Sequence, residues 1–111
     1  MAHSNAVVLD SLAMKALLTT IRRKSTPQRT YVEHCDRLCA MLAEEALARL
    51  PGTAYDVPVE TPCGTLTTGS AVVVPERDIC LVDIMRSGAI LQEAVRRVVP
   101  GAKTAKILVQ R

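Results

Sequence analysis

Ile79-Cys80-Leu81-Val82-Asp83-Ile84-Met85-Arg86-Ser87-Gly88 is the most telling run in the chain. Its first seven residues are apolar except for Asp83, the pattern of a parallel strand buried on both faces. Arg86-Ser87-Gly88 then breaks the run. Ile90, Leu91, Ala94, Val95 and Val98 follow at helical spacing, and Pro100-Gly101 ends that helix. Lys106-Ile107-Leu108-Val109 reads as a second strand, with Gln110-Arg111 as its exit. Strand, tight loop, helix and strand over 79–111 make a βαβ unit, whose crossover should be right-handed.

Working back toward the N-terminus, 53–75 reads as an antiparallel hairpin packed beside the main sheet. Val57 and Val59 alternate with Pro58 and Glu60, and Thr61-Pro62-Cys63-Gly64 has the composition of a turn. The return strand runs from Leu66 toward Ala71, Val72, Val73 and Val74. Residues 10–52 form a helical part. In its first helix, capped by Asp10 or Ser11, Met14, Leu17, Leu18 and Ile21 share one face. In the second, Thr30 and Glu33 have capping-box spacing, and Tyr31, Cys35, Leu38, Leu42, Ala46 and Leu50 form the predicted inner stripe. Pro51-Gly52 ends it, and residues 1–9 are an extended lead-in.

The composition fits a single small α/β domain. Hydrophobic residues make up 49% of the 111, so disorder is excluded, and the core must be built from aliphatic side chains because Trp and Phe are absent. Fourteen basic against eleven acidic residues give a net charge of +3, too mild for a nucleic-acid surface, and no aromatic platform for bases is present. No stretch approaches a membrane span, and no signal peptide is evident at the N-terminus. Cys35, Cys39, Cys63 and Cys80 contain no Cys-x-x-Cys pair, and His3 and His34 do not complete a zinc set. They read as structural thiols, with Cys35 and Cys39 facing inward, in a reduced, cytoplasmic setting.

Ligands of open α/β sheets bind at the carboxyl ends of the strands, which is where Arg86, Ser87 and Gly88 fall. A helix N-terminus offers free N–H groups, Gly88 permits close backbone approach, and Arg86 adds a fork for two phosphate oxygens. Small residues in such a loop also serve geometry alone. Arg111, at the end of the neighbouring strand, either converges on the same anion or is a polar strand stop. Arg22-Arg23-Lys24 with Arg29 and Arg37 is either an effector site or a solvated helix end. Asp83, a carboxylate inside a buried strand, calls for a partner, expected to be a loop arginine; a general-base role is the lesser alternative.

Several blocks in series resemble uracil phosphoribosyltransferases. They are Ile21-Arg22-Arg23-Lys24-Ser25-Thr26; Cys35-Asp36-Arg37-Leu38 with Leu42-Ala43-Glu44-Glu45-Ala46-Leu47; Ile84-Met85-Arg86-Ser87-Gly88; and Lys106-Ile107-Leu108-Val109-Gln110-Arg111. The resemblance is to the eukaryotic-like branch and to its N-terminal half. It implies a partial type I phosphoribosyltransferase fold: a Rossmann-like parallel sheet with two N-terminal helices, a β-hairpin and one βαβ unit. It also implies pyrimidine salvage, uracil and phosphoribosyl pyrophosphate giving UMP and pyrophosphate, with Mg2+ accompanying the donor. Arg86, Ser87, Gly88 and Arg111 would bind that donor, and Arg37 and Arg77 would contact GTP as an activator. A homo-oligomer is implied, and self-association is expected through 106–109 or the second helix.

The sequence departs from that family pattern. Asp83 replaces a small residue, and Ala89 and Gln92 stand where members often carry Glu. The Asp and Thr-Gly-Gly-type loop that holds the ribose 5-phosphate is absent, as is the uracil-binding segment. The expectation is therefore a truncated homologue, inactive as an isolated chain. The alternative is a non-catalytic phosphate- or GTP-binding relative that docks on a full-length family member and regulates it.

Overall fold

The computed structural model describes residues 5–52, 54–72 and 76–110. The chain forms two compact units, one up to Leu38 and one from Cys39. Val73, Val74, Arg111 and the first four residues of the lead-in lie outside the described residues.

In the first unit, helix α1 spans Leu12–Arg22. Ser11 occupies the N-cap in an extended conformation and accepts the Lys15 N–H at 3.0 Å, but its hydroxyl makes no capping bond. Met14 and Leu17 are buried, and Leu18 and Ile21 are half-buried, so the predicted stripe is the one that faces inward. The Thr26 hydroxyl donates to the Thr20 carbonyl at 2.6 Å and closes the turn after α1.

Helix α2 spans Gln28–Ala48 and starts two residues before the predicted Thr30. Pro27 supplies the first acceptor: its carbonyl takes the Tyr31 N–H at 2.9 Å. The capping box does not form, because Thr30 is already helical and Glu33 is engaged by Arg29 Nε at 2.8 Å.

In the second unit, α2 buries Ala43 and Leu47 and leaves Leu42, Ala46 and Leu50 exposed. The inner stripe is thus turned by one residue, roughly 100° on an α-helix, from the predicted one. Leu47 explains the turn: it forms the core with Val99 and Ala102, against which Ile79, Leu81 and Val95 pack.

Strands β1 (Ala54–Glu60) and β2 (Leu66–Val72) form an antiparallel hairpin, in register from Ala54↔Val72 to Glu60↔Leu66. In its loop, Gly64 donates to the Thr61 carbonyl at 2.8 Å with φ of 78°, a conformation that favours glycine. The hairpin is a sheet of its own, not hydrogen-bonded to the second sheet. A 3-10 turn at Glu76–Asp78 follows.

Strand β3 (Cys80–Ile84), helix α3 (Ala89–Val98) and strand β4 (Lys103–Ile107) make the expected βαβ unit. The strands pair in parallel, from Cys80↔Lys103 to Ile84↔Ile107. Strand β4 begins three residues before and ends two residues before the predicted 106–109. Strand β3 is not buried on both faces. Leu81 and Asp83 point inward, while Val82 and Ile84 are 54% and 60% exposed. The reason is coverage: α3 packs on one face of a sheet that has only two strands. No helix among the described residues is long and apolar enough to cross a membrane.

Candidate functional site

The turn from β3 into α3 is the chemically distinctive part of the second unit. Met85 N–H continues the parallel ladder by donating to the Ile107 carbonyl at 2.8 Å, and the Met85–Arg86 peptide is cis. Gly88 N–H returns to the Ile84 carbonyl at 3.1 Å, and Ala89 N–H donates to the Arg86 carbonyl at 3.2 Å. Gly88 then serves as N-cap, and its carbonyl accepts the Gln92 N–H at 3.1 Å. The loop is therefore tied to both strands and to the helix.

Packing of the turn also requires glycine at position 88. Its φ of −63° is open to any residue. A Cβ there, however, would lie 2.8 Å from the Ile84 oxygen and 2.9 Å from the Ile84 nitrogen. Backbone atoms cannot yield as a side chain can, so the helix seats directly on the strand end only through glycine.

Arg86 and Ser87 are exposed, and Arg86 makes no ion pair among the described residues. The first turn of α3 carries no acidic side chain, so the positive end of its dipole is uncompensated there. A groove of about 600 Å³ runs along β3 and α3, lined at one end by Ser87 and Gly88 and beyond them by Asp83, Leu91, Gln92 and Val95. The structure thus brings Ser87 and Gly88 to a groove and leaves Arg86 free beside them on the loop.

Asp83 is 3% exposed. Its partner is not a loop arginine but Lys106, whose Nζ donates to Oδ2 at 2.8 Å. Parallel register explains the choice, because Asp83 and Lys106 stand directly opposite on neighbouring strands. Lys106 also donates to Gln92 Oε1 at 3.3 Å. The Gln92 amide in turn donates to the carbonyls of Leu81 at 2.9 Å and Ala105 at 3.2 Å. The other carboxylate oxygen, Asp83 Oδ1, is buried with no hydrogen-bond partner among the described residues. Lys106 and Gln92 were missed as partners in the sequence, because the pairing follows from the register of β3 on β4.

The remaining expected site residues lie on other elements. Arg37 is exposed on α2 in the first unit. Arg77 is exposed in the second unit, in the 3-10 turn, with Asp78 at 3.8 Å. Cys35 and Cys39 are half-buried, Cys63 and Cys80 are exposed, and none of the four is in a disulfide. Beside Cys35, the Tyr31 phenol is held above its ordinary 10.0 by hydrogen bonding to that side chain, then by its charge. Among the described residues no cluster of three or more His, Cys, Asp or Glu side chains could hold a metal.

The family model described as uracil phosphoribosyltransferase matches residues 8–111. A uracil phosphoribosyltransferase of Dictyostelium discoideum is 35% identical over 108 residues, which are 96% of this chain and 48% of that protein. A uridine-cytidine kinase A of the same organism is 34% identical over 104 residues, covering 94% of this chain and 20% of the kinase. The solved structure of the AQ2163 protein from Aquifex aeolicus superposes with a TM-score of 0.64 at 27% identity, covering 95% of this chain and 48% of that one. The chain spans about half the length of the phosphoribosyltransferase it matches and about a fifth of the kinase.

Proposed function

From the premise that the chain belongs to the uracil phosphoribosyltransferase family, we propose that it supplies the leaving-group side of a site joining uracil and phosphoribosyl pyrophosphate into UMP and pyrophosphate, in pyrimidine salvage. The observation that carries this reading is the seating of Gly88 on the Ile84 backbone. It sets an unpaired Arg86 and the N-terminus of α3 together at the carboxyl end of a parallel strand.

Glycosyl transfer from such a donor makes the pyrophosphate more negative as the bond to ribose breaks. Fixed donors aimed at that charge lower the barrier because they need not reorganise. The Arg86 guanidinium would take two oxygens, with Ser87 and the backbone of the turn taking others, and Arg111 belongs to the same set. Arg37 and Arg77 are proposed contacts for GTP as activator. Magnesium belongs to the donor as its phosphate counter-ion. A cytoplasmic setting and a homo-oligomer complete the proposal, the former supported by cysteines that form no disulfide.

By itself the 111-residue chain holds no recognisable 5-phosphate loop and no base-reading segment. We therefore propose that it binds pyrophosphate but does not turn over. The test is calorimetric titration with magnesium pyrophosphate, alongside UMP formation from labelled uracil. Binding that Arg86→Ala weakens by about tenfold to hundredfold supports the reading, since one charge-assisted contact is worth about 1.5–3 kcal/mol. Absence of binding, or UMP formation by this chain alone, overturns it.

A second reading is favoured by the open face of the second sheet, where Val82, Ile84 and Ile107 are 54%, 60% and 49% exposed. On that reading the chain is a non-catalytic phosphate- or GTP-binding regulator docked on a full-length family member. A change in a full-length enzyme's rate on adding this chain selects it.

A further inference from the structure

We infer that Asp83 is a positioning residue for the 85–88 loop, acting through Lys106 and Gln92 rather than by touching ligand. The ligand-binding arm of its test rests on the proposed function; the loop-order arm does not.

Three observations converge. The first is contact: the Asp83 Cβ lies 3.2 Å from where a Gly88 Cβ would stand, so the side chain sits directly beneath the helix N-cap. The second is connectivity. Lys106 Nζ bridges Asp83 Oδ2 at 2.8 Å and Gln92 Oε1 at 3.3 Å, while the Gln92 amide donates to Leu81 and Ala105 carbonyls. Strand β3, helix α3 and strand β4 are thereby cross-braced one turn below the loop. Only an amide serves at position 92, because it must accept from the ammonium and donate to carbonyls at once.

The third observation is energetic. The carboxylate is held by one ion pair whose lysine is 52% exposed, and its Oδ1 is buried without a partner among the described residues. A small apolar residue in such a place costs a fold less than a half-satisfied carboxylate does. Global stability is therefore a poor reason for an acid at this position, whereas local order of the loop above it is a sufficient one.

Amide hydrogen exchange separates the two roles. Asp83→Ala should speed exchange at Gly88, Ala89 and Gln92 roughly tenfold, equivalent to about 1.4 kcal/mol of local opening, with the denaturation midpoint little changed. Asp83→Asn, which keeps an acceptor for Lys106, should restore protection to within about threefold. Val99→Ala, a core change that removes none of the Asp83, Lys106 and Gln92 side chains, should lower the midpoint and leave the loop amides alone. If Asp83→Ala does not fold, Gln92→Leu removes the brace from the helix side and should expose the same three amides.

Magnesium pyrophosphate affinity should follow loop protection across the series and not follow the midpoint. Unchanged loop protection in Asp83→Ala, or in Gln92→Leu where the former does not fold, overturns the inference, as does equal loosening by Val99→Ala. Protection that changes as expected in a protein that binds no pyrophosphate sustains the positioning role and overturns the proposed function instead.

Discussion

Removing Lys106 should cost far more stability than removing Asp83, although the two form one ion pair. The asymmetry comes from exposure: the Asp83 side chain is 1% exposed and that of Lys106 is 52% exposed. Lys106→Met leaves a buried carboxylate with neither oxygen paired, and breaking a buried pair in this way costs about 3–5 kcal/mol. The lower end applies, near 3 kcal/mol, because water already reaches the ammonium.

Asp83→Ala loses one charge-assisted hydrogen bond, about 1.5–3 kcal/mol, but it also removes the orphaned Oδ1, a desolvation cost of about 1–3 kcal/mol. The ammonium left behind is hydrated and still reaches Gln92. The net change is within about 1 kcal/mol, so the two variants should differ by about 2 kcal/mol. Adding Asp83→Ala to Lys106→Met should recover most of the loss, which makes the pair a double-mutant cycle. Urea denaturation followed by far-ultraviolet circular dichroism is the assay, because the chain contains no Trp. Equal costs for the two single variants, or a double variant no better than Lys106→Met, would refute the reasoning.

Further tests follow from single sites. Gly88→Ala drives a methyl into the Ile84 backbone and should cost about 1–3 kcal/mol with loss of pyrophosphate binding, read by denaturation and calorimetry. Gly64→Ala meets no atoms but sits at φ of 78°, so it should cost about 1 kcal/mol while cross-strand contacts such as Val57↔Gly69 persist in nuclear magnetic resonance spectra. Cys35→Ala should bring the raised Tyr31 titration back toward 10.0 in an ultraviolet difference titration. A raised folded-state pKa favours the protonated phenol, so the contribution of this pair is present below pH 10.0 and is lost as pH rises through the folded value.

The βαβ unit was legible because its signals agree: an aliphatic run, a small-residue loop, helical spacing and a Pro-Gly stop. The hairpin was legible from its turn, where Gly64 meets the left-handed requirement. Placement at the level of one residue was not. The α2 stripe turned because Leu47 packs with Val99 and Ala102 while Leu42 stays exposed, and periodicity alone does not choose between neighbouring apolar residues. An apolar run likewise reports that a strand can be covered on both faces, not that both covers are present, which is why Val82 and Ile84 were misjudged. The site was legible in its parts: Arg86, Ser87 and Gly88 lie on the expected turn. The Asp83–Lys106 pairing depends on strand register, which no local pattern specifies.

The register of the second sheet also bears on speed. Asp83 meets Lys106 across 23 intervening steps of chain, and the hairpin partners Asp56 and Ser70 meet across 14. Every strand pairing described is thus between neighbours in sequence, and loop closure at such separations carries a small entropic barrier. Each sheet can form as soon as its own segment has left the ribosome, in the order hairpin and then βαβ unit. The aliphatic outer face of β3, with Val82 and Ile84, is then presented as soon as β4 has paired with it, so any cover from outside the described residues would dock on a sheet already formed.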